Sequence, residues 1–246
     1  MNTYVVSDIH GNNNIWKLLN KVGFNPTDDI LFVNGDIIDR GPNPIGIFRK
    51  LIRIQKEHPG HIYLLLGNHE LFLKMYLQGE LAESVYKSTH YGGTSTLKQL
   101  AELSETEVHE LVDYINEMSP YEEINHTLYG ASVIIHVGIS AEHSVQRSDG
   151  KIDVIKSIEE AYADAPFNYM ISSDIQRGYL PAKTVSSLDK FLILGHVPTM
   201  FVSSTKDVII REKYMLIDGG SSYQGGKLLL YRIEDGKTFS AKRIKF

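Results

Sequence analysis

The sequence predicts an α/β protein that opens with a parallel sheet. Short apolar runs rich in Val, Ile and Leu recur along the chain, each bounded by Gly, Asp, Asn or His, as strands buried on both faces do. The first three runs alternate with two helix-like segments, and such a β-α-β-α-β order places its strands parallel. A long helical stretch then interrupts the alternation, which predicts an insertion rather than another layer.

In chain order, strands are expected at 4–7, 30–34, 62–66, 133–136, 191–194, 215–218 and 228–233, with helices at 13–22 and 44–57. The stretch of about 71–129 has helical periodicity and no strand-like run. Its clearest element begins at Ser104, where Glu107 completes a capping box. Val108, Leu111, Val112, Ile115 and Met118 share one face before Pro120 ends it. A second irregular segment, 140–188, carries a helix near 154–163. Both segments are expected to form a cap.

The 246 residues are expected to make a single domain, 1–246, with the helical cap insertion at about 71–129. With 42% hydrophobic and 22% charged residues the composition is that of a globular protein. A net charge of -5 gives no bulk attraction to nucleic acid or to an anionic membrane, so neither is an expected partner. The absence of cysteine excludes disulfides, thiolate nucleophiles and sulfur-rich zinc sites. Met1 runs directly into a strand with no export signal ahead of it, which predicts a cytoplasmic protein.

The polar residues fall where the apolar runs stop. Asp8 and His10 follow the first strand, Asp36 and Asp39 the second, Asn68 and His69 the third, and His136 and His196 end two later ones. Carboxyl ends of parallel strands line the ligand crevice of an open α/β sheet, so these residues are expected to converge. Asp8, His10, Asp36, Asn68, His136 and His196 exceed what one catalytic ion takes from protein while keeping room for water, so two ions are expected. Asp36 is the natural bridge between ions about 3.5–4 Å apart, and phosphate esters suit such a pair. His69 is then the candidate general acid, Asp39 its carboxylate partner, and Arg40 a fork for phosphate oxygens.

Each residue has a plainer explanation when taken singly. An isolated Asp-x-His more often caps a helix, Gly67 to Glu70 alone could be a tight turn, and a lone His136 or His196 is more often a core histidine. Their joint occurrence at successive strand ends favours the metal site. The remaining histidines, His58, His61, His90, His109, His126 and His143, lack a strand-end context and are expected on the surface or in packing. The 14 tyrosines are expected in core and cap packing.

Asp8-Ile9-His10-Gly11, Gly35 through Gly41 with its Asp39-Arg40-Gly41, Gly67-Asn68-His69-Glu70, His136-Val137-Gly138 and Gly195-His196 resemble the ordered motifs of the phosphoprotein phosphatases, bacterial or phage type. That family belongs to the calcineurin-like metallophosphoesterases. The resemblance implies a four-layer α/β/β/α sandwich with a dinuclear site of manganese, iron or zinc at the sheet edge. It implies one ion on Asp8, His10 and Asp36 and the other on Asp36, Asn68, His136 and His196. Arg177 matches a second phosphate-clamping arginine, and Tyr91-Gly92-Gly93-Thr94 looks like a glycine pair of bacterial caps. Ser7 stands where the family usually has glycine, and Leu66 where eukaryotic members have arginine. The expected activity is hydrolysis of phosphoserine, phosphothreonine or phosphotyrosine. The alternative is hydrolysis of a dinucleoside polyphosphate such as diadenosine tetraphosphate, and a third possibility is a non-catalytic scaffold.

Overall fold

A computed structural model describes residues 1–242; the predicted domain's last four residues, 243–246, lie outside it. The elements run β1 (Thr3–Ser7), α1 (Asn14–Lys21), β2 (Ile30–Asn34), α2 (Pro44–Glu57), β3 (Ile62–Leu65), α3 (Asn68–Leu77), α4 (Glu83–Tyr86), α5 (Thr94–Leu100), α6 (Glu105–Glu117), β4 (Tyr121–His126) and β5 (Gly130–Ile135). There follow α7 (Val154–Asp164), α8 (Pro166–Met170), α9 (Ala182–Ser186), β6 (Phe191–Leu194), α10 (Thr199–Val202), β7 (Ile209–Ile210), β8 (Tyr214–Leu216), β9 (Lys227–Arg232) and β10 (Thr238–Lys242).

The strands form two five-stranded sheets, ordered β10-β9-β1-β2-β3 and β4-β5-β6-β8-β7. The opening is parallel as expected, with β1 on β2 and β2 on β3, and β5, β6 and β8 repeat that arrangement in the second sheet. Val5, Phe32 and Leu65 of the first sheet meet Ile134, Ile193 and Met215 of the second in one apolar cluster. Their neighbours Tyr4, Val6, Leu31 and Val33 belong to the other cluster, with Ile15 and Leu18 of α1 and Phe48 and Leu51 of α2. Alternate residues of one strand therefore feed two cores, which is why the strands read as continuous apolar runs. With Val154, Ile158 and Ala161 of α7 also in the outer core, the result is the α/β/β/α sandwich.

The stretch 71–129 is not wholly helical: β4 lies within it and pairs antiparallel with β5. β4 reads Tyr-Glu-Glu-Ile-Asn-His and buries little but His126, as suits an edge strand whose charges discourage further pairing. β7 and β10 were likewise unanticipated, and they too are edges. The capping box behaves as expected, with Ser104 accepting from the Glu107 N–H and Glu107 from the Ser104 N–H. No helix of the described residues is long and apolar enough to cross a membrane.

Asn34 ties the two sheets together. From the end of β2 its Nδ2 donates to the Ile135 carbonyl at 3.0 Å and to the Ile193 carbonyl at 3.4 Å, and the residue is fully buried. Asn34→Ala leaves those carbonyls without that donor in a dry seam, so chemical denaturation should show a loss of about 2 kcal/mol. An unchanged unfolding midpoint would mean that the sheets are held by apolar contact alone.

Candidate metal centre

The loops leaving the parallel strands are zipped to one another. The Asp8, His10 and Gly11 N–H groups donate to the carbonyls of Gly35, Asp36 and Ile37 at 3.2, 2.9 and 2.8 Å, prolonging the β1–β2 pairing beyond the strands. The loops also approach so closely that a Cβ on Gly67 would lie 2.3 Å from the Asp36 nitrogen. Among the described residues, the non-glycine positions with positive φ are Asp8, His10, Asp36, Asp39, Arg40 and His196. All six were singled out from the sequence as site residues. Left-handed backbone costs on the order of 1–3 kcal/mol at a non-glycine residue and persists only where the surroundings impose it.

Asp36 is the centre of the cluster. Its Oδ1 lies 3.3 Å from His136 Nε2, and its Oδ2 lies 3.7 Å from His10 Nε2 and 3.8 Å from His69 Nε2. Two groups of potential ligands thus share this carboxylate: His10, Asp36 and His69 on one side, and Asp36, His136 and His196 on the other. Asn68 Oδ1 joins the second group, 3.0 Å from His136 Nε2 and 2.8 Å from His196 Nδ1. Asp8 stands beside both groups rather than inside either. Its Oδ2 accepts from the Ser7 hydroxyl and from the His196 N–H at 3.1 Å, so the serine in the place of the usual glycine orients the aspartate.

The imidazoles divide by what holds their far nitrogen. His10 Nδ1 meets the Ile38 carbonyl and His136 Nδ1 the Asn34 carbonyl, both at 2.9 Å, which puts a proton there and turns Nε2, the nitrogen a metal would take, inward. His69 Nδ1 instead meets the Asp39 carboxylate at 2.7 Å, a carboxylate–imidazole pair that fixes the ring's orientation. The other Asp39 oxygen accepts from Tyr86 at 2.6 Å and from Thr96, both supplied by the cap. Tyr86 is therefore more than the packing tyrosine expected, and neither hydroxyl carried a recognisable signal in the sequence.

Glu70 also had no assigned role. Its carboxylate accepts the N–H groups of Asp36, Gly67, Ile37 and Ile38 at 2.9, 3.0, 2.8 and 3.3 Å, holding the Asp36 loop against the start of α3. Burial and the neighbouring Asp36 push it up to about 7. Burial similarly raises Asp8 to about 6 and lowers His196 to about 3. Burial also works against a charged His136, but the Asp36 carboxylate prevails and raises it to about 10. The same burial disfavours ionised Asp36, while His136 and His69 hold it well below the usual carboxylate range. This is an anionic centre that seeks positive charge. Imidazoles, a shared carboxylate and an amide oxygen, with no sulfur, suit divalent manganese, iron or zinc.

Arg40 and Arg177 both line the open cleft over this centre, a space of about 220 Å³ shared with Asp36, Asn68, His69 and His196. Arg40 Nη1 donates to His10 Nε2 at 3.2 Å, so the lone pair facing the centre already accepts from a cation. The Arg40 N–H donates to the Gly92 carbonyl at 2.9 Å, and a Cβ on Gly92 would lie 2.6 Å from Arg40 Cγ, so Gly92 of the cap packs closely against the arginine. His90, expected on the surface or in packing, is also part of the cleft lining and accepts from Arg40 Nη2 at 3.3 Å through its carbonyl.

Comparison with known proteins follows the same lines. The chain is 27% identical over 149 residues to a symmetrical bis(5'-nucleosyl)-tetraphosphatase of Nitrosomonas europaea, covering 60% of this chain and 48% of the relative. A protein of the same name from Erwinia tasmaniensis is 29% identical over 147 residues, 59% of this chain and 47% of its own. The matched stretch thus spans about half the length of these relatives. Among solved structures, one provisionally named a diadenosine tetraphosphatase superposes with a TM-score of 0.65 at 19% identity, covering 100% of this chain and 95% of that one. A protein serine/threonine phosphatase from Saccharomyces cerevisiae gives 0.63 at 15% identity, over 100% and 81% of the two chains. At such identities these two structures speak for the fold alone. The profile of the calcineurin-like phosphoesterases matches residues 1–199, and with it the strand-end motifs and the sandwich that gathers them, so the chain belongs to the calcineurin-like phosphoesterase family.

Proposed function

We propose that this metallophosphoesterase hydrolyses a dinucleoside polyphosphate such as diadenosine tetraphosphate. The observation that carries the chemistry is the division of Asp36, one oxygen toward His136 and the other toward His10 and His69. In this reading Asp8, His10 and Asp36 hold one divalent ion, and Asp36, Asn68, His136 and His196 hold the other. When bound, such a pair lowers the pKa of a water and offsets the charge of the phosphoryl oxygens. Arg40 and Arg177 grip non-bridging oxygens from the cleft wall, and His69, fixed by Asp39, gives its Nε2 proton to the departing oxygen. The water oxygen bonds to phosphorus as the bond to the bridging oxygen breaks, and the bridging oxygen leaves with the proton.

The substrate is supported by the name of the relatives over the matched half of their length. The aromatic rings of Phe72, Phe201 and Tyr223 in the cleft also suit a nucleotide better than a bare phosphate. The alternative, a phosphorylated serine, threonine or tyrosine of a protein, is favoured by the small volume of the cleft directly over the centre. Turnover of diadenosine tetraphosphate and of a phosphopeptide with manganese separates the two. We expect the higher kcat/KM for the dinucleotide, and the opposite preference would overturn the proposal.

Asp36→Asn should reduce both bound metal and turnover, by more than the about 10- to 100-fold typical of an outer-shell change. Elemental analysis beside an aryl phosphate assay reads both, and full metal occupancy in the variant would remove Asp36 as a bridge. His69→Asn should slow an alkyl phosphate by about 100- to 10,000-fold, and an aryl phosphate, which needs less protonation, much less. Equal slowing of the two would show that His69 is not the acid.

A further inference from the structure

A second cavity of about 430 Å³ adjoins the metal cleft and shares two lining residues with it, Arg177 and Phe201. Its remaining walls include Tyr179, Arg211 and Tyr214, with Gln176 and Leu216. The cleft over the metal centre is smaller than the about 300 Å³ at which small-molecule sites usually begin, whereas the neighbour lies within their range. A phosphate at the centre therefore has room behind it in one direction for something larger.

The chemistry of the walls is specific. Among the described residues, the large hydrophobic side chains left exposed include two aromatic ones, Phe201 at 51% and Tyr179 at 68%, and both line this cavity. Phe201 forms a T-shaped pair with Tyr223, ring centroids 5.0 Å apart, so the half-exposed ring is supported by a neighbour. The two guanidiniums, Arg177 and Arg211, make no ion pair among the described residues, although the protein carries a net charge of -5. Arg177 spends only its Nε, on the Ser173 hydroxyl at 2.9 Å, and keeps its two Nη groups. Uncommitted arginines beside exposed rings form a surface for a flat base carrying phosphates.

We infer that this cavity is a nucleotide subsite: it holds the departing nucleoside diphosphate, the base against Phe201 and Tyr179 and the phosphates on Arg211 and Arg177. Arg177, common to both spaces, spans the scissile bond from the metal centre to the subsite. The inference deepens the proposed function and rests on it for the identity of the reaction, but not for the binding itself.

Calorimetric titration of the full chain with ADP tests it. Arg211→Ala and Tyr179→Ala each remove an exposed side chain, so the fold should survive, as an unaltered melting temperature would show. Each should weaken ADP binding by about tenfold or more, the cost of one charge-assisted contact or one stacked base. Arg53→Ala, in a separate cavity between α2 and α6, should leave the affinity as it was. Equal ADP affinity in wild type, Arg211→Ala and Tyr179→Ala would overturn the subsite, as would a wild-type chain that does not bind ADP at millimolar concentration. A chain that binds ADP through these residues yet fails to split diadenosine tetraphosphate would keep the subsite and refute the proposed reaction instead.

Discussion

The charge on Asp36 is the constraint around which this molecule is organised. A carboxylate closed off from water is tolerable only where cations or hydrogen-bond donors compensate it. Here the difficulty is compounded, because Asp8 and Glu70 are buried in the same place and each raises the cost of ionising its neighbours. Three imidazoles lie within ion-pair distance of Asp36, and the Arg40 guanidinium stands beside one of them, but no lysine or arginine approaches Asp36 itself that closely among the described residues. Burial works against the ionised forms of Asp8 and Glu70, and a cation held among these donors would offset that cost.

Holding the donors in place also costs backbone freedom. Among the described residues, six non-glycine positions adopt a left-handed conformation, and each belongs to the cluster or to the two residues that serve it, Asp39 and Arg40. The restraint comes from the opposite side of the loops, where a single carboxylate, Glu70, gathers four peptide N–H groups. The cap supplies the rest, through Tyr86 and Thr96 on Asp39 and through Gly92 on Arg40. Strain is therefore stored where the chemistry is, and the compensating bonds lie one layer behind it.

Much of this was legible in the residues alone. Strands with two buried faces leave continuous apolar runs, so β1, β2, β3, β5 and β6 could be seen, and with them the polar residues at their ends. The edge strands β4, β7 and β10 could not, because a strand with one solvated face or only two residues has no such run. Asp36, Asn68, His136 and His196 lie together, and Asp8 joins them through the His196 N–H and is bound by Ser7. Tyr86, Thr96 and His90 escaped notice for a different reason. Their roles depend on how the cap folds back over the sheet, and nothing in their local sequence marks a tyrosine, a threonine or a histidine carbonyl for that task.

Asn34 has a wider consequence than the joining of two sheets. The carbonyl of this residue accepts from His136 Nδ1 and lies 2.9 Å from the hydroxyl oxygen of Ser7, which holds Asp8, while its amide grips the opposite sheet. One side chain and its own peptide group thus serve both the sandwich and the reaction centre. The layers cannot slide apart and leave the histidines in register, so heat inactivation and loss of the folded core become a single cooperative event.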